Sequence, residues 1–204
     1  MNSNAPAVFL ALGVALLAGP VQAADDSWLV RVRATHLNPA DKATPIGGVG
    51  AADRISVERR TIPELDISYF FSPNVAAELV LTYPQKHEVY LDGKSIGTFK
   101  HLPPTLLAQY HFQPAATISP YVGVGVNFTR VSSVKLLGGA ADLESHSVGL
   151  ALQAGVDYKL DQHWSVNLDF KRVNIRSDVV AAGAKLSAIR VDPTMVSLGL
   201  GYRF

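Results

Sequence analysis

Cysteine is absent from the 204 residues, which excludes disulfides, thiolate nucleophiles and cysteine metal sites and suits a chain that crosses an oxidising compartment. Charge of one sign is lacking too, with 18 Lys and Arg against 17 Asp and Glu. A balanced chain with no basic run has no field to gather a polyanion, so nucleic acid is excluded as a partner. Long apolar runs are also missing beyond the first segment: polar or small residues recur at every second position, and a helical membrane protein is excluded. The length supports one domain.

What is present begins with "PAVFLALGVALLAGPVQA", which has an apolar core from Ala7 to Ala18, a break at Gly19–Pro20 and small residues at Val21 and Ala23. This is the form of a cleavable export signal cut after Ala23. It falls short of the roughly 20 apolar residues that a spanning helix needs. The leading "MNSNA" carries no Lys or Arg, so the α-amino group alone supplies positive charge there. Residues 1–23 are expected to be a signal peptide and residues 24–204 the exported domain.

Read by twos, the exported domain is a series of two-faced strands. Trp28, Val30, Val32 and Ala34 alternate with Leu29, Arg31, Arg33 and Thr35. Leu65, Ile67, Tyr69 and Phe71 oppose Glu64, Asp66 and Ser68, and Leu79 and Leu81 oppose Glu78 and Val80. A loop is expected from Pro84 to about Leu102. Further strands follow at 104–112, 120–130, 148–158, 164–171 and 196–204, the last placing Val196, Leu198, Leu200, Tyr202 and Phe204 on one face. Eight strands result, joined alternately by short turns ("SPN", "QPAATIS", "LDQH") and long loops. The expected fold is all-β: an eight-stranded antiparallel transmembrane β-barrel of up-and-down topology, with short periplasmic turns and long extracellular loops. Outer-membrane lipid is then its surroundings. Aromatic residues near the short turns (Trp28, Phe71, Phe112, Tyr158, Trp164, Phe204) match an interfacial girdle.

The other face settles which way the barrel is turned. It carries Gly123, Gly125, Gly149, Gly155, Gly199 and Gly201 among its charges, a mixture suited to a crowded interior and not to a wetted surface. An eight-stranded barrel is just wide enough for side chains to fill it. Arg31, Arg33, Glu64, Asp66, Glu78, Asp157, Asp169, Lys171 and Arg203 are therefore expected to neutralise one another in the lumen.

Signs of enzyme chemistry are weak. "HWS" puts His163 and Ser165 at i and i+2, as a Ser–His pair would need, but it adjoins a short turn and has no assigned acidic partner. "KHEVY" lacks the second His of a zinc helix motif, and "GVGV" lacks the third glycine of a dinucleotide site. His36, His87, His101, His111 and His146 are read as solvated or hydrogen-bonded residues of loops and strand ends. No metal, no cofactor and no enzymatic activity are implied.

At "HLPPTLLAQYHF" (101–112) and "PYVGVGVNFT" (120–129) the sequence resembles the outer membrane protein W (OmpW) family. The resemblance continues through "GVDY" (155–158), "W-x-V-N-x-D" (164–169), "VDP" (191–193) and the final "GYRF". It implies a narrow barrel whose interior is hydrophobic toward the outside, passing small apolar solutes inward and releasing them through a lateral opening, as in alkane-uptake barrels. The candidate channel and opening residues are Leu102, Pro103, Pro104, Leu107, Val80 and Val148. Two adjacent prolines cannot donate to a ladder, which suits an interrupted wall. Val148 stands where relatives carry a tryptophan. The competing reading is a structural or surface-receptor barrel whose loops recognise a ligand and which transports nothing. The resemblance also makes Tyr202 and Phe204 part of a signal for the outer-membrane assembly machinery, since an exposed terminal aromatic adds only about 1.5–3 kcal/mol by burial.

Overall fold

The computed structural model describes residues 26–181 and 184–204; the expected signal peptide, residues 1–23, lies outside them. Its strands, in chain order, are β1 (Trp28–Asn38), β2 (Lys42–Ala43), β3 (Ile55–Val57), β4 (Arg60–Phe70), β5 (Val75–Leu81), β6 (Gln85–Leu91), β7 (Lys94–Leu102) and β8 (Thr105–His111). Then come β9 (Ile118–Leu136), β10 (Asp142–Leu143), β11 (His146–Lys159), β12 (Trp164–Val173), β13 (Arg176–Ala181), β14 (Ala184–Arg190) and β15 (Thr194–Arg203).

Eight of these close into a ring in the order β1-β4-β5-β8-β9-β11-β12-β15, antiparallel throughout. β15 returns to β1 with Leu29 opposite Arg203 and Asn38 opposite Thr194. Beyond that register the Trp28 and Phe204 backbones exchange hydrogen bonds of 2.9 and 2.8 Å. Closure removes the free strand edges that lipid cannot satisfy.

The alternation has the orientation expected of a membrane barrel. Val124, Leu150, Leu152, Leu168, Leu198 and Leu200 are exposed around the outside, while the charged face is buried inside. Aromatic rings gather on the outer surface at the short-turn end: Trp28 and Tyr69 meet at 4.9 Å, Tyr110 and Phe112 at 5.3 Å, and Trp164 and Tyr202 at 4.9 Å.

At the opposite end the strands outrun the ring. β9 continues past Arg130 and pairs there with β7, which carries β6 and β3 with it. A separate sheet, β10-β13-β14-β2, covers the same end. Segment 84–102, expected to be a loop, is therefore a hairpin. The sequence does carry its signal: Asp92–Gly93 is a two-residue turn with φ of 50° and 77°, the left-handed pair that lets a hairpin follow the strand twist.

Candidate functional site

The interior has a charged lower half and an apolar upper half. The lower half is built on β1, where Arg31 and Arg33 are successive inward positions. The Arg31 guanidinium grips Asp157 by two bonds of 3.1 and 2.6 Å, donates to Glu78 at 2.9 Å and reaches Ser68 at 3.2 Å. Arg33 lies 3.0 Å from Asp66 and 3.4 Å from Glu64, and Lys171 spans Glu64 at 2.7 Å and Asp169 at 3.0 Å. Three cations thus meet five carboxyls, and neutral donors reach Glu78, Asp157 and Asp169, while Asp66 is held by its ion pair with Arg33. Gln153 donates to Glu78 and Asp169, both at 2.8 Å. Tyr121 donates to Asp169 at 2.7 Å while accepting from Arg33 and Asn167. A network with this many mutual partners crosses the lumen from β1 to β12.

Glycine at position 155 makes room in this floor. A Cβ on Gly155 would lie 2.4 Å from both the ring and the hydroxyl of Tyr121. The bare backbone of β11 makes room for the ring that joins the network's two ends.

Above Glu64 and Lys171 the lining changes character. Leu37, Val89, Phe99, Val131, Ile175 and Ile189 line a narrow apolar cavity. It shares Val89 and Ile189 with a second apolar crevice toward the long-loop end. Below, it shares Leu37, His101, Ile175 and Pro193 with a crevice that ends on Glu64 and Lys171. Apolar surface therefore runs from the outer end of the molecule down to the charged floor.

The lower crevice also reaches the wall, being lined by Ile62, Thr82 and Pro103. β5 leaves β4 after Leu81 opposite Leu65, and its ladder with β8 stops at Val80 opposite Thr105. Pro103 and Pro104 fill the break between β7 and β8. On the far side the wall stays joined: Phe128 N donates to the Pro104 carbonyl at 2.9 Å, and Asn127 Nδ2 donates to the Pro103 carbonyl at 3.1 Å. On the near side residues 60–64 of β4 pair with β1 on one edge, but the edge toward β5 has no ladder partner above Leu65 among the described residues. The Arg60 guanidinium bridges that side by donating to the Lys86 carbonyl.

Most of the residues singled out in the sequence converge here. Leu102, Pro103, Pro104, Val80 and Leu107 cluster at or beneath the break, with Val80 and Leu107 buried inside it. Val148 does not join them: it is 70 % exposed on the outer face of β11, opposite Phe128, and lines no interior path. Of the nine lumen charges, eight form the network. Arg203 stands apart at the short-turn rim, donating to the Asp26 carbonyl at 2.7 Å with its guanidinium 4.0 Å above the Phe70 ring. His163 stacks on Tyr202 at 5.7 Å while Ser165 is buried.

Sequence reading missed Tyr121 and three histidines. All three of His87, His101 and His111 are buried, and of the two expected states His87 and His111 take the hydrogen-bonded one, with the Glu58 carbonyl at 3.1 Å and Gln109 Oε1 at 3.3 Å. His87 and His101 lie with ring centroids 4.7 Å apart, tilted by 33°, inside the upper cavity, above the lipid-facing band. Burial holds both below the usual imidazole range, helped at His87 by Arg60 and at His101 by His87 itself, and brings His101 to about 3.

A closed ladder, a lipid-facing apolar wall, an aromatic belt and a salt-bridged lumen define an eight-stranded outer-membrane β-barrel. The chain belongs to the OmpW family, whose model matches residues 24–204. It is 38% identical to an uncharacterized outer-membrane protein, y4mB, of Sinorhizobium fredii, over 97% of this chain and 93% of that one. It is 30% identical to outer membrane protein W of Vibrio cholerae, covering 96% and 97%. Outer membrane protein AlkL of Ectopseudomonas oleovorans is 31% identical over 78% of this chain and 72% of its own. Among solved structures, OprG of Pseudomonas aeruginosa superposes with a TM-score of 0.76 at 27% identity, covering 88% of this chain and 96% of that one. The protein resides in the outer membrane, with its long-loop end outward.

Proposed function

We propose that this barrel takes up small hydrophobic molecules from outside the cell and releases them sideways into the membrane at the Pro103–Pro104 break. The observation that carries this reading is the run of apolar crevices that ends on a charged floor beside an interrupted wall. An apolar molecule entering from outside keeps apolar contact until it meets Glu64 and Lys171. Going on through the floor would strip partners from buried charges, which is costly; turning toward Pro103 leads to lipid at no such cost. The family resemblance, which implies alkane-uptake barrels among the relatives, supports uptake of this kind. Catalysis has no part in this reading.

The route can be probed chemically because the chain has no other thiol. Ser177 is a buried lining residue of the upper cavity. In a Ser177→Cys variant, a small apolar methanethiosulfonate is expected to react with the folded barrel much faster than a charged reagent of similar size, and the attached group should then block uptake until it is reduced off. Equal rates for the two reagents, or uptake undisturbed by the attached group, would refute the route.

We also propose that Phe204 serves assembly more than transport. Its side chain is exposed on the outer wall, and its closing hydrogen bonds with Trp28 are backbone bonds, so Phe204→Ala leaves them available. Less barrel is expected in the outer membrane, with unchanged uptake per folded molecule. Unchanged abundance with a large loss of uptake would reverse this assignment.

A further inference from the structure

Two ring nitrogens in the upper cavity have no hydrogen-bond partner among the described residues: His87 Nε2 and His101 Nδ1. Their side chains are buried, and the cavity around them is almost wholly apolar. Phe99 flanks both rings, 5.8 Å from His87 and 5.9 Å from His101. Buried polar atoms without partners are costly, and an apolar solute alone would leave that cost in place.

The chemistry of His87 is fixed by its other nitrogen. Nδ1 lies 3.1 Å from the Glu58 carbonyl, which can only accept, so Nδ1 carries the hydrogen. In a neutral ring Nε2 is then a lone-pair acceptor and only a donor satisfies it. His101 Nδ1 is not constrained in this way, and its tautomer can supply either a donor or an acceptor. Burial keeps both rings neutral near pH 7. An ammonium donor would bring a full charge into an apolar space, and a carboxylic acid would arrive ionised. A neutral hydroxyl carries the donor without charge.

We propose that His87, assisted by His101, is a recognition point for the hydroxyl of otherwise apolar molecules, so that the cavity selects aliphatic alcohols and phenols over hydrocarbons and ethers of the same size. This rests on the upper cavity being the entry route for apolar solutes. The hydroxyl donates to His87 Nε2, and the ring nitrogen of His101 is free to donate to its oxygen. An ether can accept but cannot donate, so it leaves His87 Nε2 unpartnered.

The test is a titration of the whole barrel in lipid nanodiscs, with nitrogen-labelled histidine rings and labelled methyl groups at Val89, Val131 and Ile189. The probes are n-octanol, octyl methyl ether and n-octane. All three are expected to shift the methyl signals, whereas only octanol shifts His87 Nε2. Octanol should half-saturate at about one tenth the ether concentration, the factor one hydrogen bond supplies. In His87→Phe, confirmed as folded by its gel mobility, that advantage should vanish while octane binding persists. Should His87→Phe not fold, the alcohol-to-ether comparison on the unaltered barrel decides alone. Equal half-saturation with no ring-nitrogen shift would overturn the hydroxyl site and leave the apolar route standing. No methyl shift with any probe would overturn both.

Discussion

Replacing Arg31 by methionine is expected to destabilise the folded barrel by about 3–5 kcal/mol, the usual cost of removing one partner from a buried ion pair. Methionine roughly fills the space but holds neither Asp157 nor Glu78. Asp157 loses both bonds of its Arg31 fork, and Glu78 keeps only Arg33 at 3.7 Å among the arginines. Arg31→Lys should fall between wild type and Arg31→Met, because an ammonium restores the charge without the fork. The measurement is the urea midpoint for refolding into lipid vesicles, read from the faster gel migration of unboiled folded barrel. An unchanged midpoint in Arg31→Met would mean that the network adds nothing to stability.

Placing a charge on the other face should cost nearly as much. Leu198 is 59 % exposed and lies midway along β15, level with Leu168 and Ala34. On a water-facing surface Leu198→Arg would be almost neutral, within about 0.5 kcal/mol. Facing the hydrocarbon midplane, arginine is expected to cost about 2–4 kcal/mol. The same vesicle refolding assay measures it. The neighbouring Ser197 points inward and pairs with Thr35 at 2.8 Å, so one step along the strand exchanges lipid for lumen. A neutral Leu198→Arg would place the apolar face somewhere other than in lipid.

The period-two alternation made the barrel legible because a strand in a closed wall has only two sides, and parity alone assigns them. Parity gives no depth, however, and that explains Arg203. It shares the inward parity of Arg31 and Arg33 but sits at the rim, too near the end of β15 to reach the carboxyls. Val148 is the opposite case: its own alternation put it with the outward residues Leu150 and Leu152, and the resemblance to a family, not the strand pattern, suggested a lining role. Tyr121 was hidden by the glycine beside it. Gly155 reads as empty space until the ring that occupies that space is seen. The upper cavity was least visible, since it depends on pairing between β7 and the distal part of β9, more than 25 residues apart in the chain, and sequence alone gives no register for it. The Asp92–Gly93 turn was the one local sign that a hairpin, and so a wall for that cavity, stood where a loop was expected.

The central claim, an apolar entry closed to straight passage by a charged floor, is tested most directly by two readings on one preparation of purified barrel. Vesicles containing it should take up a hydrophobic fluorescent probe faster than protein-free vesicles, while planar bilayers containing it show no steady ionic conductance. Open-channel conductance to salts with no gain in probe uptake would contradict the account.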